Sequence, residues 1–311
     1  MNGTAPALSH HSKVAVIINP IAGGVRPAAA RRRVEYATRF ITQHRLDGEV
    51  LVTTRPGHAR ELAQQALARQ ATLVIAWGGD GTVSEVASAL AFSPAVLAVV
   101  PSGSGNGLAR ELGIPRDPHA ALGEAIAGEV MVMDAGEIDG RLFFNVAGIG
   151  FDARVAERFA AGGAGHRGPA RYLTSVVREL FRYDATEYVV SIDGKTSSEW
   201  PLLMAIANSR QYGNGALIAP KARIDDGRLD VVIVDDRSPL EALVQAGRLF
   251  LGTLAAGTGV SMTPAIAVEV SAEEPILFHL DGEPHIGGSS VVARVRPGAL
   301  RVVCRSGRGR G

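Results

Sequence analysis

The sequence predicts an α/β half built on a parallel sheet, followed by a mainly antiparallel, β-sandwich-like half. Three observations lead there. Up to about residue 130, short apolar runs alternate with helical patterns, and three of those runs end in glycine-containing loops. From Met131 the texture changes to short alternating strands separated by turn residues. With 311 residues and 46% hydrophobic content the chain has material for two cores, and no repeat of fixed period or long low-complexity tract competes with that division. The predicted boundaries are a disordered 1–12, a first domain over 13–130, a second over 131–304 and a basic, glycine-rich, disordered tail, 305–311.

Taken in order, Lys13 to Asn19 reads as the first strand and leads into Asn19-Pro20-Ile21-Ala22-Gly23-Gly24. Pro27 to Gln43 is the helix after it, with proline in the permitted first turn and Arg31, Arg32 and Arg33 as a solvated basic face. Glu49 to Thr53 is the second strand, followed by a turn, with His58 at the entry of a helix running through Arg69. Leu73-Val74-Ile75-Ala76 is the third strand. It runs into Trp77-Gly78-Gly79-Asp80-Gly81-Thr82-Val83-Ser84 and a helix to about Leu90. Val96 to Val100 is the fourth, ending in Pro101-Ser102-Gly103-Ser104-Gly105-Asn106-Gly107, and helices over Leu108–Leu112 and Pro118–Ala127 complete the half.

In the second half, strands are expected at 131–138, 141–146, 187–192, 200–207, 229–234, 267–270, 276–280 and 299–304. A helical excursion from Ala153 to Tyr183 carries six arginines (Arg154, Arg158, Arg167, Arg171, Arg178, Arg182) around the hinge Ala161-Gly162-Gly163-Ala164-Gly165, and is suited either to solvent or to an anionic bilayer. Leu240, Leu243, Val244, Gly247, Phe250, Leu251 and Leu254 share one helical face, expected to pack on a sheet.

The loop around Asp80 carries the strongest chemical signal. Glycines can take φ > 0 and let backbone approach a ligand, and amides at a helix start suit phosphate oxygens. A carboxylate at the crest would repel a bare polyphosphate, so the loop reads as a seat for a nucleotide accompanied by a divalent cation, Mg-ATP. Alone, Gly-Gly-Asp-Gly is only a tight turn. Two further glycine loops at neighbouring strand ends change that reading, because ligands of parallel α/β sheets sit outside the carboxyl ends of the strands, where the three would converge. Gly-x-x-x-x-Gly-Lys-[Ser/Thr] and Gly-x-Gly-x-x-Gly are both absent from this half, which argues against a Walker-type NTPase and a dinucleotide fold.

Composition excludes other classes. Lys+Arg at 32 against Asp+Glu at 31 leaves a formal charge of +1, so no broad basic surface for nucleic acid is expected. A single cysteine, Cys304, excludes an internal disulfide and fits a reducing compartment. Met1–Ser12 lacks the basic-then-apolar order of a signal peptide and no apolar run reaches the roughly eighteen residues of a membrane span, so the expected location is cytoplasmic.

Asn-Pro-x-x-Gly from Asn19, Gly-Gly-Asp-Gly-Thr from Gly78 and Gly-Ser-Gly-Asn from Gly103 together resemble the catalytic domain of the diacylglycerol kinase and sphingosine kinase superfamily, in particular its bacterial soluble lipid kinases. Gly-Gly-Asp-Gly is shared with NAD kinases and phosphofructokinases, and the resemblance implies their type of α/β domain. It further implies ATP contacts at Asn19, Pro20, Ile21, Ala22, Gly23, Thr53, Gly78, Gly79, Asp80, Gly81, Thr82, Val83, Ser84 and Ser104. Asp281-Gly282-Glu283 takes the place of the family's acid turn facing the nucleotide loop across one crevice, with Glu283 as proton acceptor and Asp281 as its neighbour. Asp134 corresponds to an aspartate near the metal–water network. Ala219–Asp230 resembles a second signature in which Asp226 and the carbonyls of Arg223 and Arg228 hold a structural Mg²⁺. Phe144–Ala153 also resembles the family, which would bring Asp152 to the acceptor head group. Gly107 departs from the pattern: bacterial diacylglycerol kinases commonly have aspartate there and the sphingosine kinase branch a small residue, which leaves the lipid open.

The expected protein is thus an ATP- and Mg²⁺-dependent kinase acting on a lipid hydroxyl at the membrane surface, with diacylglycerol the default acceptor and a sphingoid base or ceramide the alternative. A kinase of a soluble metabolite, NAD kinase-like, and a nucleotide- or lipid-sensing module without turnover are the rivals. A homodimer is left open.

Overall fold

The computed structural model describes residues 13–24, 27–161, 183, 185–236, 238–257 and 259–305. The expected disordered N-terminus, the 162–165 hinge, Arg167, Arg171, Arg178 and Arg182, and the tail from 306 lie outside the described residues. The chain forms two units: Met1–Met133 with Gly213–Gly215 and Gly298–Gly311, and Asp134–Tyr212 with Ala216–Pro297.

The first unit is a parallel sheet. Strands β1 (Lys13–Ile18), β2 (Asp47–Val52), β3 (Leu73–Gly78) and β4 (Val96–Pro101) lie in the order β2-β1-β3-β4, all parallel. Every residue of β3 and β4 is buried, the condition that continuous apolar runs satisfy when helices cover both faces. Helices α1 (Pro27–Gln43), α2 (His58–Ala68), α3 (Asp80–Leu90), α4 (Gly107–Glu111) and α5 (Pro118–Ala127) fall where the sequence places them. α5 starts with Asp117 Oδ1 accepting the Ala120 N–H at 2.9 Å and proline in its first turn.

The second unit is a sandwich of two sheets. Its strands are β5 (Glu129–Ile138), β6 (Arg141–Phe143), β7 (Val146–Gly150), β8 (Tyr188–Ile192), β9 (Lys195–Glu199), β10 (Pro201–Ala207), β11 (Gln211–Gly213), β12 (Ala216–Leu217), β13 (Leu229–Asp235), β14 (Val260–Ala265), β15 (Ala267–Ser271), β16 (Leu277–Leu280), β17 (Glu283–Ile286) and β18 (Ser290–Cys304). One sheet is antiparallel throughout in the order β14-β13-β10-β7-β16-β17. The other pairs β15 with β18 and β8, and β8 with β9, while β5 pairs with β18 and β6; β11 and β12 belong to neither sheet and pair with each other. Inward residues of both sheets interleave in one core, among them Phe143, Ile149, Met204, Val231, Val268, Phe278 and Val291. α6 (Phe151–Ala161) follows β7 directly.

Two expectations change. The last strand does not belong wholly to the second domain: β18 starts at Ser290, and its C-terminal part pairs in parallel with β4 of the first unit through Arg301↔Val96 and Val302↔Leu97. The helix Pro239–Leu251 does not bury its apolar stripe, since Leu243, Val244, Phe250 and Leu251 are 46–77% exposed. The core beside it is already filled by Ile218, Ala219, Ala222 and Leu254, with Leu249 as the helix's own contribution.

Candidate functional sites

In the first unit the three glycine loops do converge, and the contacts that join them are specific. Asn19 donates from Nδ2 to Thr82 Oγ1 at 2.9 Å, and its backbone N–H donates to the Trp77 carbonyl at 2.9 Å, tying the first loop to the second. Gly23 has φ 75°, and a Cβ there would fall 2.4 Å from the Ser102 carbonyl oxygen, so only glycine lets the first loop meet the third. Gly79 and Gly103 touch backbone to backbone: a Cβ on Gly103 would lie 2.7 Å from the Gly79 Cα.

Asp80 closes the arrangement. Its Oδ2 accepts the Asn106 N–H at 2.8 Å and its Oδ1 accepts the Gly107 N–H at 2.7 Å, so the carboxylate caps the start of α4 from the start of α3. Asn106, at φ 52°, folds its own loop by accepting the Gly103 N–H at 2.8 Å and donating to the Gly103 carbonyl at 2.7 Å. The N-terminus of α3 itself has no side-chain cap, Gly81 and Ser104 are exposed, and a Cβ on Gly81 would meet nothing within 4 Å. An accessible, uncapped helix start beside two further glycine loops is a ready anion seat.

Not every expected nucleotide residue faces outward. Thr53 and Thr82 are each 7% exposed and Val83 6%, so Thr82 and Val83 shape the Asp80 loop from within and Thr53 is buried just past the end of β2. Ile21 lies at the other extreme, 76% exposed. Arg33, expected in a solvated face, instead donates to the carbonyls of Asn19 at 3.1 Å and Ala22 at 3.0 Å, and burial lowers its pKa. Glu85 of α3 accepts the N–H groups of Gly57 and Ala59, both at 2.9 Å, pinning the turn that follows Thr53. Neither brace carries a sequence signal, because an exposed-looking charge on a helix says nothing of which distant backbone it meets.

In the second unit Asp281 and Gly282 form the two-residue turn of the β16–β17 hairpin, with φ of 50° and 90°, and Leu280 pairs with Glu283 across it. Asp281 is not free for chemistry. Its carboxylate accepts the N–H groups of Phe144, Asn145 and Val146 at 2.9, 2.8 and 3.1 Å, making it an anchor between the turn and the entry of β7. Glu283 is exposed at the first position of β17. Asp152, expected at a head group, is turned inward: Tyr212 donates its hydroxyl to Oδ2, His279 Nε2 approaches the same oxygen at 3.2 Å, and its side chain is 9% exposed.

The structure brings Asp134 to the same loop as Asp226. Asp134 is buried, accepts the Gly227 N–H on Oδ2 at 2.7 Å and donates its own N–H to the Ile224 carbonyl at 2.7 Å. Asp226 and the side chains of Arg223 and Arg228 are exposed, and Asp226 Oδ1 accepts the Arg228 N–H at 3.0 Å. Burial and the charge of Asp226 raise the pKa of Asp230 nearby. Among the described residues no cluster of three or more His, Cys, Asp or Glu side chains could hold a metal, so any cation here depends on backbone oxygen.

A parallel α/β unit with three interlocked glycine loops, followed by a β-sandwich unit, is the two-domain architecture of the diacylglycerol kinase type. Family models agree: the diacylglycerol kinase catalytic domain matches residues 13–138, and the YegS C-terminal NAD kinase beta sandwich-like domain matches residues 145–304. A protein of Pseudomonas aeruginosa called a probable lipid kinase YegS-like is 37% identical over 81% of this chain and 83% of its own length. A Pectobacterium atrosepticum protein of the same name is 34% identical over 78% and 83%. The chain belongs to the YegS-like lipid kinase family. Two crystal structures from Bacillus anthracis share the fold: one has a TM-score of 0.79 at 23% identity over 96% of this chain and 97% of its own, and the other, described as a diacylglycerol kinase, a TM-score of 0.73 at 20% identity over 96% and 99%.

Proposed function

We propose that this chain transfers the γ-phosphoryl group of Mg-ATP to a lipid hydroxyl, with diacylglycerol as acceptor and phosphatidic acid as product. The observation that carries the reading is the Asp80 carboxylate gripping the Asn106 and Gly107 amides, because it assembles the loops into one phosphate seat. The uncapped N–H groups of α3 and the exposed Gly81 would receive the phosphates, and each Asp80 oxygen keeps lone-pair capacity beyond the one N–H it accepts. Mg²⁺ bound with the nucleotide supplies neutralisation of the phosphate charge. Glu283 takes the hydroxyl proton as the acceptor oxygen bonds to the γ-phosphorus and ADP leaves.

A structural Mg²⁺ is proposed at Asp226 with the carbonyls of Arg223 and Arg228, and Asp134 fixes that loop through Gly227. The residues fit a hard cation: the donors are oxygen, the loop is exposed, and two carboxylates there repel one another. Access to the lipid is proposed at the bilayer surface from the cytoplasmic side, through the apolar face of Pro239–Leu251. No helix among the described residues is long and apolar enough to cross a membrane. Gly107 favours a second reading, a sphingoid base or ceramide as acceptor.

Labelled ATP offered with diacylglycerol, sphingosine and ceramide in mixed micelles, and separately with NAD, tests the proposal. Labelled phosphatidic acid that disappears in Glu283→Ala is the expected result. Label on sphingosine or ceramide alone would select the second reading. Label on NAD alone, or ATP binding with transfer to no acceptor, would overturn lipid kinase activity.

A further inference from the structure

We infer that His279 is a positioning residue for Glu283, held in the required tautomer by Asp152 and Tyr212; this rests on the reading of Glu283 as proton acceptor. Glu283 directly follows the two-residue turn, so its position depends on how that turn is held. Asp281 is fixed by three backbone amides. The Gly282 N–H has no ladder partner in such a turn, and it donates to His279 Nδ1 at 3.2 Å.

That bond fixes the imidazole. Since Nδ1 accepts, the proton resides on Nε2, which donates to Asp152 Oδ2 at 3.2 Å. Tyr212 donates to the same oxygen, and Asp152 Oδ1 accepts the Ala153 N–H at 2.8 Å. Residues of α6, β11 and β16 therefore meet just behind the turn.

The surrounding fold makes room for the pair. A Cβ on Gly148 of β7 would fall 2.0 Å from Asp152 Oδ2 and 2.4 Å from His279 Nε2. The His279 and Asp152 side chains are each 9% exposed, beside buried Phe278 and Leu280. Burying an imidazole and a carboxylate costs free energy that an apolar side chain at 279 would avoid. What the histidine alone supplies is an acceptor for Gly282 on one side and a donor for Asp152 on the other.

Asparagine and glutamine separate these two roles. His279→Asn places an acceptor oxygen where Nδ1 lies, and His279→Gln places its amide near Nε2 and leaves Gly282 without a partner. The full chain is assayed for kcat and for KM with ATP and lipid, in the wild type, Glu283→Ala and the His279 variants to Ala, Asn and Gln. Exchange of the Gly282 amide is followed by NMR.

Glu283→Ala is expected to lower kcat by about a hundredfold or more. His279→Ala and His279→Gln are expected to lower kcat about tenfold through misplacement of the base, with KM for ATP unchanged. His279→Asn should stay within about threefold of wild type and keep the Gly282 amide protected. Wild-type kcat in all His279 variants beside an inactive Glu283→Ala, or asparagine no better than glutamine, overturns the inference alone. Wild-type kcat in Glu283→Ala overturns the proton-acceptor reading and this inference with it.

Discussion

Replacing Asp80 by alanine in the absence of nucleotide isolates its grip on α4 from any part in phosphoryl transfer. Two backbone donors, at 2.8 and 2.7 Å, lose a charged acceptor. A hydrogen bond to a charged group contributes about 1.5–3 kcal/mol; taking the lower value for a partly buried pair, the loss is about 3 kcal/mol. Asparagine keeps one acceptor and turns an NH₂ toward the other donor, so Asp80→Asn should lose about half as much. For a unit of this size about 3 kcal/mol corresponds to a fall in Tm of roughly 10 °C. Trp77, 2% exposed in β3, reports the first unit, and a Trp200→Phe background removes the other tryptophan, which is 53% exposed. Thermal and urea unfolding followed by Trp77 emission should rank wild type above Asp80→Asn and Asp80→Ala last. An alanine variant within about 1 °C of wild type would refute the claim that this carboxylate holds the loops together.

Gly103→Ala must push Gly79 away, because the added carbon would lie 2.7 Å from a backbone atom that cannot rotate aside; a fluorescent ATP analogue should bind about tenfold more weakly, whereas Gly123→Ala, in open space on α5, should leave binding unchanged. Arg141 Nη1 donates to His285 Nδ1 at 2.6 Å, and burial followed by the Arg141 charge lowers the pKa of His285. A depressed folded-state pKa contributes stability that is present above the unfolded value, about 6.5, and is lost as pH falls through the folded value. The His285 ring resonances should therefore titrate below pH 6.5 in the wild type and higher in Arg141→Met; a wild-type midpoint at or above 6.5 would count against it. Phe250→Glu with Leu251→Glu should cut sedimentation with phosphatidylglycerol vesicles at least tenfold without changing Tm, since both side chains are exposed; unchanged sedimentation would remove this helix from the proposed membrane contact.

What the sequence made legible depended on whether a residue's role was local. The strands β1, β3 and β4 are apolar runs with a loop at the end, and burial on both faces follows from that pattern alone. The convergence of three loops followed from parallel topology, and the Gly79–Gly103 contact explains why glycine recurs in them. Strands set by their partners were hidden. Lys195–Glu199 has no apolar residue, Val260–Ala265 contains a proline, and Glu283–Ile286 read only as the flank of a turn. The acids show the same limit: the glycine loop singled out Asp80, and the family resemblance Asp152 and Asp281, but only coordinates reveal that each spends its carboxylate on groups of its own chain. His279 is not legible in the sequence, because a lone polar residue in Leu277–Leu280 carries no local signature.

The parallel pairing of Arg301 and Val302 with β4 has a temporal consequence. The sheet that bears the glycine loops borrows its fifth member from residues roughly two hundred positions downstream of β4, so a ribosome that has released everything through the acid hairpin still holds an unfinished first unit. Fragments cut at the boundary near residue 133 should accordingly leave β4 with a naked edge and a tendency to associate, which makes the two units partners in synthesis as well as in sequence.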